Sequence, residues 1–179
     1  INIFGYNIFA KGGTSRSNIN LVKSLLEIGH EVHYFNYQDY NKSDITKLII
    51  YEGLSTKHLH IHQFNSGKEL AHGDLLIITR ETFFNHAYLV KKINSKIKIV
   101  GEIHGPLEYI NENIDFALDC IDCVRVSTAR IKNEFIAKYD YHRVFNQYVN
   151  AQHIDLKSEP INTKRNFLIK ARFEDEVKD

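Results

Sequence analysis

The sequence predicts a doubly wound α/β domain, a parallel sheet with helices on both faces. Three observations carry that expectation. Short apolar segments alternate with segments whose apolar residues recur every three or four positions. The run Leu75-Leu76-Ile77-Ile78 is apolar without alternation, as in a strand buried on both faces. No internal repeat of about 20–50 residues marks a solenoid or propeller. Strands separated by helix-length connections imply parallel pairing through right-handed crossovers.

Ile1 to Tyr6 reads as the first strand, followed by a loop that ends in Gly12-Gly13. Ile19, Val22, Leu25 and Leu26 then recur at helical spacing, with Thr14 or Ser15 as cap and Gly29 as terminator. Glu31 to Asn36 is a second strand, Ile45 to Tyr51 a helix, and the alternating segment His58 to His62 a third strand. Asp74 to Thr79 is a strand and Glu81 to Ile93 helical. Ile97 to Glu102 follows as a strand, Tyr109 to Leu118 as a helix and Cys123 to Val126 as a short strand. Ala129 to Ala137 is a helix and Arg143 to Phe145 a last strand. Gln152 to Lys164 is polar and contains Pro160, so it reads as a linker, and Asn166 to Arg172 looks like the opening strand of a second domain. The expected organisation is one domain over 1–158, with 159–179 as connector and start of another.

Composition narrows the classes. The 179 residues carry 23 Lys+Arg against 22 Asp+Glu, without the basic excess of a nucleic-acid binder. With 43% hydrophobic residues and two prolines, the chain is neither disordered nor of low complexity. No apolar stretch reaches the ~18 residues of a membrane helix, and Ile1-Asn2-Ile3-Phe4 does not resemble a secretory leader. Two cysteines make no disulfide framework, so a cytoplasmic setting is expected.

In an open parallel sheet, ligands bind beyond the carboxyl ends of the strands. Four segments compete for that position. Gly12-Gly13-Thr14 opens the first long helix, where free N–H groups favour phosphate, though a plain turn and cap explain it equally. It is neither G-x-G-x-x-G nor a Walker loop. His104, on the Gly105-Pro106 turn after a strand, is placed to face a crevice and handle a proton or a sugar hydroxyl, unless backbone carbonyls simply satisfy it. Arg80 ends another strand and either clamps an anionic acceptor or pairs with Glu81. Arg172 and Lys178 flank a terminal turn, where two cations can converge on one diphosphate or remain ordinary surface charge.

Other clusters read as structural. His58, His60 and His62 share a strand face, but no carboxylate or cysteine is recruited nearby in the sequence to complete a metal site. Cys120 and Cys123 form one C-x-x-C ahead of a strand and read as small apolar residues. Lys91, Lys92, Lys96 and Lys98 form either a solvated face or a contact for an anionic lipid or polymer.

Four stretches of the sequence, in chain order, resemble the amino-terminal half of a family 4-type retaining glycosyltransferase of the GT-B fold, with the start of its second domain. Lys11-Gly12-Gly13-Thr14-Ser15-Arg16 with the Gly29-His30-Glu31-Val32 strand opening is similar to that family's first loop, helix and second strand. Glu102 to Pro106 resembles its strand–histidine turn, and Val126-Ser127-Thr128 its later strand end. Ala171-Arg172 with Lys178 resembles its G-R-x5-K motif, with alanine in place of glycine. The interdomain segment Asn150 to Asp155 departs from the family's pattern.

The resemblance implies a Rossmann-like acceptor-side lobe and transfer from a nucleotide-sugar such as a UDP- or GDP-sugar, with retention and without a metal or other cofactor. It assigns Gly12, Gly13 and Thr14 to the donor diphosphate, His104 to the transferred sugar, and Arg172 and Lys178 to the leaving group. Arg80 and Ser127 are acceptor-side candidates. A Lys-, Asn- and Ile-rich composition fits a bacterial source, so the implied acceptor is a surface polysaccharide, teichoic acid or glycolipid handled at the inner face of the membrane. Two other classes compete. A non-catalytic regulatory α/β domain leaves the start of a second domain unexplained, and a Rossmann epimerase or dehydrogenase requires a G-x-G-x-x-G loop and a Tyr-x-x-x-Lys pair that are not present.

Overall fold

Apolar strands too short to bury themselves must pair side by side, and helix-length connections force that pairing to be parallel. The computed structural model describes residues 1–110 and 113–148. Seven strands form one sheet: β1 (Asn2–Gly5), β2 (Val32–Asn36), β3 (Leu59–Gln63), β4 (Leu75–Ile78), β5 (Lys98–Ile103), β6 (Cys123–Val126) and β7 (Val144–Asn146). Every neighbouring pair is parallel, in the order β3-β2-β1-β4-β5-β6-β7. The fold is a doubly wound, Rossmann-like α/β domain. The winding reverses between β1 and β4, where a crevice opens at the carboxyl edge.

Five helices cover the sheet: α1 (Gly13–Glu27), α2 (Lys42–Glu52), α3 (His86–Ile93), α4 (Asp115–Leu118) and α5 (Ala129–Tyr139). Ile19 and Val22 of α1 and Leu48 of α2 pack on Ile3, Tyr34, Leu59 and Ile77, forming the core on one face. Ala87, Val90, Ala117 and Phe135 pack on Phe4, Leu76, Ile99 and Val124, forming the core on the other. The sheet residues alternate between these two cores as the strand pleat requires. Among the described residues, no helix is long and apolar enough to cross a membrane.

The ends of the helices follow local chemistry. Gly29, at φ +90°, terminates α1 in a conformation that L side chains rarely adopt. Asn41 and Asp44 form a reciprocal capping box at the start of α2, and Thr128 Oγ1 accepts the Ile131 amide at the start of α5. α1 differs from expectation: its cap is Gly12, with no side-chain acceptor, and Thr14 lies inside the first turn. Ser15 Oγ instead donates to the Asn7 carbonyl at 2.6 Å, fastening the loop after β1.

Two expected helices are broken. Residues 81–93 divide into a 3₁₀ turn, Glu81–Phe83, and α3. The turn drops Phe84 onto β5 at Gly101, where an added Cβ would lie 2.5 Å from Phe84 Cζ. Of the helix expected from Tyr109 to Leu118, the described residues show the end of a 3₁₀ turn, Leu107–Tyr109, and the short α4. The sequence also gave no warning of a 3₁₀ turn at Glu69–Ala71, which buries Leu70 and Ala71 on the return from β3 to β4. The expected linker and second-domain strand lie outside the described residues.

Candidate functional site

The carboxyl edge gathers most of the sequence candidates. Tyr34 from β2, Asn18 from α1 and Thr79 after β4 form a buried polar floor at the β1–β4 reversal. Asn18 Nδ2 donates to the Tyr34 hydroxyl at 2.8 Å, and Thr79 Oγ1 donates to the Phe4 carbonyl at 3.2 Å. Burial pushes the Tyr34 hydroxyl well above its ordinary value, so it stays protonated. Gly5 is required here, because a Cβ would lie 2.1 Å from that hydroxyl oxygen. Gly5 is a site residue that sequence reasoning missed.

Above this floor, α1 begins without a side-chain cap and without an acidic residue in its first turn. Its leading N–H groups therefore present the positive end of the helix dipole with no carboxylate from that first turn opposing it. A Cβ at Gly12 or Gly13 would meet nothing within 4 Å, and neither residue has positive φ. The packing does not demand glycine at these positions, and Gly12 serves as the N-cap of α1. One turn into α1, Arg16 makes a two-pronged ion pair with Glu52 of α2, at 2.7 Å for each contact, and Lys23 joins it at 2.9 Å. The Arg16 hydrogen bonds hold the Glu52 carboxyl below its usual value, despite its burial. That triad fixes α1 against α2.

A separate polar group comes from β5 and β6, and it does not share the cavity that Gly12 lines. Val100 packs with the α1-side core, whereas Ile99 and Ile103 pack on the opposite side. The pleat therefore turns Glu102 toward α1. In the same way, Val124 and Val126 point to the far core and Arg125 points toward α1. Glu102 and Arg125 are register partners in adjacent strands, both buried, at 8% and 5% exposure. Arg125 Nη1 lies 3.7 Å from Glu102 Oε1, and Arg125 Nη2 donates to the Gln147 carbonyl at 2.7 Å.

His104 follows directly. Its Nε2 lies 3.1 Å from Glu102 Oε2, so the ring is held by a buried carboxylate rather than by backbone carbonyls. Ser127 Oγ donates to the His104 carbonyl at 3.5 Å, tying the turn after β5 to the turn after β6. A cavity of about 110 Å³ lies here, lined by Ser17 and Asn20 of α1 together with Glu102, Arg125, Gln147 and Tyr148. The flank of α1 and the carboxylate that holds His104 thus share one cavity. Among the described residues, Arg125 Nε and Asn18 Oδ1 are buried side-chain atoms with no hydrogen-bond partner. Neither Glu102 nor Arg125 was a site candidate from the sequence; the available signal was a charge in the interior of each of two largely apolar strands.

Other candidates resolve differently. Arg80 is half-exposed, 3.9 Å from Glu81 Oε1, so it leans on its neighbour. Lys91 Nζ bonds Asp122 at 2.8 Å and Lys98 Nζ bonds it at 3.2 Å, so two of the four clustered lysines are internally paired. Burial alone would raise the Asp122 carboxyl, but the bonds from Lys91, the Ile99 amide and Lys98 outweigh it and hold it at about 2. Cys120 and Cys123 are free thiols, raised above their usual range by burial. Arg172 and Lys178 lie outside the described residues.

The histidine strand corrects one expectation. His58 precedes β3, and a carboxylate is recruited: Glu31, just before β2, lies 3.0 Å from His60 Nε2. His33 of β2 joins them and stacks on His60, ring centroids 4.6 Å apart. Parallel register across β2 and β3 makes this cluster, and sequence spacing does not reveal it.

No family model matches this chain, and a search of curated proteins finds no match either.

Proposed function

We propose that the chain is the acceptor-side lobe of a retaining glycosyltransferase, which moves a sugar from a nucleotide-sugar to a glycan, polymer or lipid-linked acceptor of the bacterial envelope. One observation carries this reading: His104, held by the buried Glu102–Arg125 pair, stands at the carboxyl edge on the side of the sheet that α1 covers.

In the proposed reaction, the bond between the anomeric carbon and the diphosphate oxygen breaks as an acceptor oxygen bonds that carbon. Negative charge accumulates on the departing diphosphate. The uncapped start of α1, with its open glycines, offers N–H donors and a favourable dipole to that charge. Arg172 and Lys178, in the second lobe of this reading, would supply the remaining neutralisation. His104 Nε2 is engaged with Glu102, which fixes the ring plane and leaves Nδ1 for a sugar hydroxyl. Ser127 restrains the backbone of the same turn. No step is assigned to a metal.

The test is transfer by the protein expressed from its complete gene. His104→Ala is expected to bind donor and to lose transfer by about 10²–10³-fold, as on removal of a preorganised hydrogen-bond donor. Transfer unchanged in this variant would remove His104 from the site and the reading with it.

A further inference from the structure

The amino-terminal edge of the sheet carries a second polar cluster, at the end opposite the candidate crevice. His33 and His60 are register partners on β2 and β3, and Glu31 is the residue immediately before β2. Val32 and Tyr34, like Leu59 and Ile61, belong to the core under α1 and α2. The pleat therefore puts His33, His60 and His62 together on the opposite face. β3 is the edge strand, and this part of the face is only partly covered, which leaves Glu31 exposed and His33 and His60 half-buried.

The donor atoms converge. One ligand atom from each of Glu31, His33 and His60 can be chosen so that all lie within 4.8 Å of one another. Glu31 Oε1 is 3.0 Å from His60 Nε2 and 3.7 Å from His33 Nε2. Ligands about 2.0–2.1 Å from a tetrahedral ion stand about 3.3 Å apart, so these separations bracket what such an ion requires. His33 Nδ1 lies 3.0 Å from His62 Nε2. A proton donated from that Nδ1 to His62 leaves the Nε2 lone pair of His33 turned toward Glu31, the arrangement in which an outer imidazole orients a ligating one. The parallel rings of His33 and His62, 7° from coplanar orientation, keep that geometry. Beside the cluster, Glu31, His33 and His62 line a cavity of about 530 Å³, with room for a water or anion in a fourth position.

We propose that Glu31, His33 and His60 form a binding site for a divalent cation of the zinc class, with His62 orienting His33. Two imidazoles and one carboxylate select borderline ions such as Zn²⁺ and Co²⁺ over Mg²⁺ or Ca²⁺, which prefer all-oxygen shells. The ion would clip edge strand β3 to β2, far from the sugar-transfer chemistry proposed above and independent of it.

The experiment is titration of the full chain, free of any affinity histidine tag, with ZnCl₂ by calorimetry and with CoCl₂ by visible absorption. One equivalent is expected to bind below about 100 μM, with tetrahedral cobalt bands, and MgCl₂ is not expected to compete. His33→Ala and His60→Gln are expected to abolish it, and His62→Gln to weaken it by about 10–100-fold. His142→Ala, which alters an exposed histidine elsewhere, is expected to leave it intact. Far-UV circular dichroism of each variant separates lost binding from lost folding. No bound equivalent in the wild-type chain, or undiminished binding in His33→Ala and His60→Gln, would overturn the proposal.

Discussion

Replacing Glu102 with Gln tests whether the Glu102–Arg125 pair is charged and dry. Gln keeps the shape and one acceptor oxygen but removes the charge, leaving Arg125 with the Gln147 carbonyl and His104 with a neutral neighbour. At the observed 3.7 Å, a unit charge pair at an effective dielectric near 20 interacts by about 4–5 kcal/mol. Removal of one partner from buried pairs costs about 3–5 kcal/mol. Because Gln preserves a hydrogen bond, we expect a loss of about 3 kcal/mol, a large share of the ~5–15 kcal/mol that holds an ordinary domain. Urea unfolding of the 179-residue chain, followed by far-UV circular dichroism, reads this directly. The double variant Glu102→Gln, Arg125→Met removes the stranded cation as well and is expected to recover at least about 1.5 kcal/mol of that loss. Stability of Glu102→Gln within about 0.5 kcal/mol of wild type, or strict additivity in the double variant, would refute the reasoning.

Two further outcomes follow from packing and charge. Gly101→Ala forces a methyl to within 2.5 Å of Phe84 Cζ and is expected to cost about 1–3 kcal/mol, read as a lowered thermal midpoint. Asp122 is held at about 2 against an ordinary 3.8, so the folded chain binds this proton less readily than the unfolded chain. Its contribution, up to about 2 kcal/mol, is complete above the ordinary value and fades as pH falls toward the folded one. Asp122→Asn should therefore flatten the stability–pH curve between about pH 4 and 2, and an unchanged acid slope would exclude the pairing with Lys91 and Lys98.

The strands were legible because burial writes them in runs of a single character. Leu75 to Ile78 is apolar throughout, and the alternation from Leu59 to Gln63 marks a strand with one open face. The doubly wound class followed from the rhythm of these segments. The broken helices were not legible, since Phe84 and Ala87 continue a helical apolar pattern even though the turn at Glu81–Phe83 interrupts it. Only the contact with Gly101 on β5 supplies the reason, and that contact spans elements. His104 was legible from its place after a strand, on a Gly-Pro turn. Its partner was not: nothing local says that β5 neighbours β6, or that their register sets Glu102 beside Arg125. The Glu31–His60 contact was hidden for the same reason, because it depends on the register of β2 against β3.

These two polar clusters arise from one geometric device, like-numbered positions of adjacent parallel strands, yet they have opposite energetics. Glu31, His33 and His60 stand at a partly open edge, with Glu31 exposed and the histidines half-buried, where mutual contacts reached by water are worth little to folding. Such a cluster persists at small cost whether or not anything binds it. Glu102 and Arg125 are shut away from water, and a buried ion pair commonly contributes less stability than apolar residues of the same volume would. Apolar residues such as Ile3, Ile77 and Val100 fill other inward positions on that face, where Tyr34 and Asn36 also bring buried polar atoms. A charged pair set among them, next to a histidine and with one guanidinium N–H left without a partner among the described residues, forgoes stability at this point of the sheet. That point is the carboxyl edge, where a parallel sheet places its chemistry. Positioning His104 is the use that the proposed function assigns to this pair.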